Sequence, residues 1–146
     1  MSQNPLRALA WRVVKAWIHR RFPSVDDIST ATLAQRLEQG ESIVLVDVRK
    51  PEEYAVSHLP GAIHAESVEA LQQGLRNAKN VRIVAYCSIG YRSARLTQQL
   101  VAAGYRAVNL EGSLFQWANE NRPLVCNQQQ TTQVHPYSST WALLLE

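Results

Sequence analysis

The run Val81-Arg82-Ile83-Val84-Ala85-Tyr86 is apolar except at Arg82 and stops at Cys87, after which Ser88-Ile89-Gly90-Tyr91-Arg92-Ser93 leads into a helix-like stretch closed by Gly104. This succession of strand, tight turn and helix restricts the fold more than any other feature, because it repeats. Ser29 or Thr30 can cap a helix through Leu33 to Leu37 that Gly40 closes, and an apolar strand follows at Ile43-Val44-Leu45-Val46. Pro51-Glu52-Glu53-Tyr54 opens a short helix, Ala62-Ile63-His64 reads as a short strand, and Val68 to Leu75 is helical. After the Val81 strand, Ser93 caps a helix to Ala103, a strand lies at Val108 to Leu110, and a last helix surrounds Phe115 to Asn119. Strands separated by helices imply a parallel sheet covered on both faces, the α/β class.

The position of Cys87 carries chemistry. A strand that delivers a cysteine into a turn, with a helix starting beyond it, aims backbone N–H groups and the positive end of a helix dipole at the sulfur. Those donors favour thiolate over thiol, and Arg92 and Arg95 bring further positive charge. A buried cysteine is otherwise an inert small hydrophobe. The glycine and two arginines beside Cys87 favour the reactive reading.

The loop Cys87-Ser88-Ile89-Gly90-Tyr91-Arg92-Ser93 resembles the active-site loop of rhodanese-type sulfurtransferases. Upstream, Val46-Asp47-Val48-Arg49, Glu53-Tyr54 and His58-Leu59-Pro60-Gly61-Ala62 are similar to that family's landmarks. Downstream, Gly104-Tyr105, Val108-Asn109-Leu110-Glu111-Gly112 and Trp117 are similar to its ending. The likeness runs from about Ile28 to Pro123. It departs at Ser57 and Ser113, where glycine is usual, and at Asn121-Arg122-Pro123, where a glycine-rich end is common. The resemblance implies a three-layer α/β fold with a central parallel five-stranded sheet flanked by helices.

It also implies ping-pong transfer of a sulfane sulfur, with a persulfide relay between protein partners as the alternative and a non-catalytic regulatory module, which the intact Cys87 opposes, as the third reading. Cys87 would take the outer sulfur of a donor such as thiosulfate, becoming a persulfide, and pass it to cyanide or a thiol, with no cofactor or metal. Phosphatases built on the same fold carry a longer loop between cysteine and arginine. Here four residues, Ser88 to Tyr91, separate Cys87 from Arg92, which suits bound sulfur rather than a phosphate ester. Residues Ser88, Ile89, Gly90, Tyr91, Arg92 and Ser93 would form the substrate cradle, their amides holding the persulfide anion, with Arg95 a second cation toward the donor. Tyr91 is bulky enough to cover the pocket or touch a protein acceptor. Asp47 and Arg49 are expected to support the site, Asp47 by accepting hydrogen bonds near the loop and Arg49 by pairing with an acid such as Glu53. His58 reads as a turn histidine bonded to backbone; it has no second ligand at metal spacing.

Both ends lie outside this likeness, so the expected organisation is a basic amphipathic helix in residues 1–25, the rhodanese-like domain in 26–124 and a polar tail with an apolar end in 125–146. Residues 1–25 hold Arg7, Arg12, Lys15, Arg20 and Arg21 and no acid, while the whole chain carries a net charge of only +3. Leu6, Leu9, Val13 and Trp17 follow helical spacing, with Trp11, Val14 and Ile18 beside them. Three roles compete for this helix: packing on the domain, contact of residues 6–21 with an anionic membrane surface, and docking of an acidic protein partner. Charges interrupt the apolar residues too often for a transmembrane span. A signal peptide is not indicated, since no small-residue cleavage site follows a clean apolar core. Nucleic acid is a poor fit, because the basic residues are confined to one segment without an accompanying aromatic groove. In the tail, Gln128 to Gln133 reads as a mobile linker, and Trp141 to Leu145 should dock on its own domain or on a second copy. The two cysteines form no disulfide framework, which suggests the reducing cytoplasm, with Cys126 a bystander rather than a resolving thiol.

Overall fold

The computed structural model describes residues 4–75 and 80–146, so residues 1–3 of the expected N-terminal segment lie outside it. Helix α1 (Pro5–Arg21) starts behind Asn4, whose side chain accepts the Leu6 N–H at 3.0 Å, and has proline in its first turn, where no amide partner is lost. Strand β1 (Asp27–Ile28) follows, then α2 (Thr30–Glu38), capped by the Ser29 hydroxyl on the Thr32 N–H. Next come β2 (Ile43–Asp47), α3 (Pro51–Val56), β3 (Ile63–His64) and α4 (Val68–Leu75). The second half holds β4 (Arg82–Tyr86), α5 (Tyr91–Ala102), β5 (Arg106–Leu110) and α6 (Ser113–Asn119).

The five strands form one parallel sheet in the order β1-β5-β4-β2-β3. Strand β4 lies at its centre, paired from Arg82 to Tyr86 with Ile43 to Asp47 of β2. Alternation sends successive side chains of β4 to opposite faces. Val84 and Tyr86 join a core with Leu33, Leu114 and Phe115, from α2 and α6, whereas Ile83, Ala85 and Cys87 pack with Leu71, Leu96 and Leu100, from α4 and α5. Helices therefore cover both faces, giving the three-layer α/β architecture expected from the resemblance. Strand β1 was not anticipated: two residues are too short for a periodic signal, and Asp27 and Ile28 become a strand only by pairing with Asn109 and Leu110.

Helix α1 packs on this domain. Ala10, Trp11 and Val14 border the first core, and Ile18 and Phe22 form a third cluster with Val25 and Ala94. His19 reaches Asp27 at 3.2 Å, and Lys15 reaches Glu111 at 3.5 Å. The helix buries Ile18 and half-buries Trp11 and Val14, while Leu6, Leu9 and Val13 are exposed and Trp17, 44% exposed, stacks on Tyr91. Among the described residues no helix is long and apolar enough to cross a membrane.

The expectation of a mobile glutamine-rich linker is corrected. Strands β6 (Leu124–Cys126) and β7 (Gln129–Thr131) form an antiparallel hairpin, turned at Asn127 and Gln128, which both adopt positive φ. His58 anchors β6 by exchanging backbone hydrogen bonds with Val125 at 3.0 and 2.9 Å. Beyond it, a single 3₁₀ turn (Trp141–Leu144) lies against α1, and Leu144 enters the first core. The apolar end thus docks on its own domain.

Candidate active site

Cys87 leaves the carboxyl end of β4, where an open parallel sheet presents its ligand crevice. Its N–H donates to Ser113 Oγ at 3.3 Å, and its carbonyl and that of Ser88 accept the N–H groups of Leu114 and Phe115 at 3.0 Å. The first turn of α6 is thus tied to the first half of the loop. Gly90 then takes φ +111°, a conformation that side chains rarely adopt, and its carbonyl accepts Asn109 Nδ2–H at 3.0 Å.

This path turns two donors onto the sulfur. Gly90 N–H lies 3.1 Å from Cys87 Sγ and the Ser93 hydroxyl 3.4 Å from it. The amino-terminal end of α5 stands directly behind. Ser93 was expected to cap this helix, but the helix begins at Tyr91 with Gly90 in the cap position. Gly90 takes that role because its positive φ ends the loop three residues earlier, and the Ser93 hydroxyl, inside the first turn, faces the sulfur. Cys87 is only 1 % exposed and forms part of the lining of a cavity of about 180 Å³.

Arg92 was expected to face an anionic donor, and the structure gives it fixed partners. Nη1 donates to Glu53 Oε2 at 2.8 Å, and Nη2 donates to Glu53 Oε1 and to Ser88 Oγ, both at 3.0 Å. Burial opposes the charged form of Glu53, but hydrogen bonds from Arg92 and the Lys50 N–H, with the Arg92 and Arg49 charges, outweigh it and hold the carboxyl below its usual range. Glu53 is therefore an anion beneath the loop. Arg95 is exposed and lies over the Tyr91 ring at 5.4 Å, outside the cavity lining.

The expected pairing of Arg49 with Glu53 is corrected. Arg49 donates Nε–H and Nη2–H to Asp47 at 2.9 and 2.7 Å, and Nη2–H to the Ser57 carbonyl at 2.6 Å, with both charged side chains fully buried. Two residues apart at a strand end, Asp47 and Arg49 share one side, whereas Glu53 in the first turn of α3 faces Arg92. Asp47 also accepts Arg49 N–H at 3.0 Å, so its acceptors close the turn after β2. The His58 ring bonds to the Tyr54 carbonyl at 3.0 Å and stacks on Tyr54. Cys126 Sγ donates to the Ala55 carbonyl.

Six residues of the site are not marked out by the sequence, or are marked for a different role. Glu53 pairs with Arg92 and not with Arg49. Asn109 and Ser113 carry no signal beyond the pattern they belong to. Trp17, Tyr137 and Trp141 come from the two terminal segments, yet they line the cavity above Cys87 together with Ile89, Tyr91 and Arg92. No local signal placed them there, since all three arrive by long-range docking.

A parallel α/β sheet whose central strand ends in a cysteine loop closed by a helix amino terminus defines the class. The chain belongs to the rhodanese-like domain family, whose model matches residues 29–120. It is 32% identical over 99 residues to a Bacillus subtilis protein named putative sulfurtransferase YtwF, covering 68% of this chain and 96% of that one. To an Allochromatium vinosum sulfurtransferase it is 33% identical over 102 residues, covering 69% and 95% of the two chains. The crystal structure of a rhodanese-like domain protein from Staphylococcus aureus superposes with a TM-score of 0.61 at 30% identity, covering 71% of this chain and all of that one.

Proposed function

We propose that this chain is a sulfurtransferase that carries a sulfane sulfur as a persulfide on Cys87. The observation that carries the reading is the pair of donors on Sγ, Gly90 N–H at 3.1 Å and Ser93 O–H at 3.4 Å, at the amino terminus of α5. The same donors suit a thiolate before transfer and a persulfide anion after it. In the first half-reaction Sγ attacks the outer sulfur of a donor such as thiosulfate, an Sγ–S bond forms, and sulfite leaves with the electron pair of the broken S–S bond. In the second, cyanide or a thiolate takes the outer sulfur and the Cys87 thiolate returns. The sulfurtransferase names of the relatives support the general reaction.

Mass spectrometry tests the covalent step. Incubation with thiosulfate should add the mass of one sulfur atom to Cys87, cyanide should remove it as thiocyanate, and Cys87→Ser should gain nothing. Absence of the adduct in the parent chain under every donor tried would remove the reading.

A further inference from the structure

The cavity over Cys87 has walls of two origins. Part of its lining belongs to the loop and the start of α5. The rest is aromatic and is supplied by Trp17 of α1 and by Tyr137 and Trp141 of the C-terminal segment, none of which lies within residues 29–120, the family match. Trp17 stacks on Tyr91 with centroids 4.8 Å apart and rings 20° from parallel, and on Trp141 at 6.4 Å and 15°. Three nearly parallel rings thus follow one another along the rim. Tyr137 lies with its ring 4.3 Å from the Arg92 guanidinium carbon.

Charge at the same place is already balanced. Arg92, the one cation in the lining among the described residues, is bonded through both terminal nitrogens to the buried anion Glu53, with the Tyr137 ring against its guanidinium. A small dianion entering here would exchange water for aromatic faces and a neutralised ion pair, a costly transfer. A substrate with a carbon body gains from the same faces, because aromatic side chains offer large apolar area and stack favourably with other rings.

We infer that the sulfur donor of this site is an organic sulfane compound, with an apolar and preferably planar group beside the transferable sulfur, and that Trp17, Tyr137 and Trp141 select it over inorganic thiosulfate. This rests on the Cys87 persulfide proposed above. For an aromatic thiosulfonate the step balances without a further reactant. Sγ attacks the terminal sulfur, the Sγ–S bond forms, the bond between that sulfur and the sulfonyl sulfur breaks, and the sulfinate leaves with the electron pair. A thiolate and a thiosulfonate anion become a persulfide anion and a sulfinate.

The test compares benzenethiosulfonate with thiosulfate, cyanide being the acceptor, in the full chain and in Trp17→Leu and Tyr137→Ser. The quantity read is the ratio of kcat/KM for the two donors; intrinsic donor reactivities cancel when a variant's ratio is divided by the parent's. Loss of one stacking partner should lower the ratio about tenfold in Trp17→Leu, with a smaller fall in the same direction in Tyr137→Ser. Tyr137 is exposed on an irregular segment, so its variant keeps the test decisive should Trp17→Leu fail to fold. A ratio unchanged in the folded variants overturns the inference and leaves the persulfide standing. Sulfur appearing on Cys87 from neither donor overturns both.

Discussion

Arg92 donates to Glu53 Oε2 at 2.8 Å and to Oε1 at 3.0 Å, so the cation beside Cys87 is neutralised by a carboxylate from a different helix. The pair links α3 to α5 across the end of the sheet. Ser88 Oγ joins it, 3.2 Å from Glu53 Oε1. The loop is thus held from below by an ionic contact.

Glu53→Gln should cost about 1–3 kcal/mol of stability at pH 7, because two charge-assisted hydrogen bonds lose their anion. The sign with pH follows from the depressed carboxyl. Its contribution is complete above the ordinary value of 4.5 and is lost as pH falls below that toward the lower folded-state value. Urea denaturation between pH 7 and pH 3 should show an acid limb in the parent chain that is shallower in the variant. Identical limbs would mean that Glu53 titrates alike folded and unfolded.

Gly90→Ala tests the loop. A Cβ at Gly90 would find its nearest neighbours 3.6 Å away, so space is adequate, but φ +111° is unfavourable for any L side chain. The strain should cost about 1–3 kcal/mol. If the loop relieves it by turning the Gly90 N–H from Sγ, sulfur loading from a saturating donor should slow by at least about tenfold. Loading followed by mass spectrometry, beside a urea titration, checks both.

Arg49→Lys separates support from chemistry. A lysine cannot bond both Asp47 oxygens and the Ser57 carbonyl from one point charge, and the site is fully buried. The expected loss is about 3 kcal/mol in urea, with the rate of sulfur loading per folded molecule within about twofold of the parent. A large drop in that rate at normal stability would give Arg49 a direct role.

Leu143 and Leu144 are adjacent and opposite in environment, 74% and 3% exposed. Leu144→Ala should lose about 2–5 kcal/mol, as for other core leucines. Leu143→Ala should stay within about 0.5 kcal/mol. Equal, small effects measured by thermal and urea unfolding would show that the 3₁₀ turn is not docked.

Much of the architecture was legible because it is periodic and local. Apolar runs at Ile43 and Val81, the Ser29 cap, Pro51 and the glycines at positions 40 and 104 each act within a few residues, and the elements fall close to where these signals put them. Boundaries moved where a loop conformation overrode propensity, as at Gly90, and β1 was invisible because a two-residue strand exists only through its partner. Glu120 illustrates the same limit: it meets the Thr30 hydroxyl of α2 from the far end of α6.

The order of residues alone determined the alternating α/β plan and the strand, cysteine, glycine and helix succession, since hydrophobic period, capping and positive-φ turns are short-range properties. Tertiary structure alone decided which acid neutralises Arg92, which hydroxyl faces Cys87, and that Trp17, Tyr137 and Trp141 wall one cavity. Those partners are brought together by chain closure over as many as 124 residues of sequence, from Trp17 to Trp141, and only the packing of α1 and the tail onto the sheet specifies that meeting.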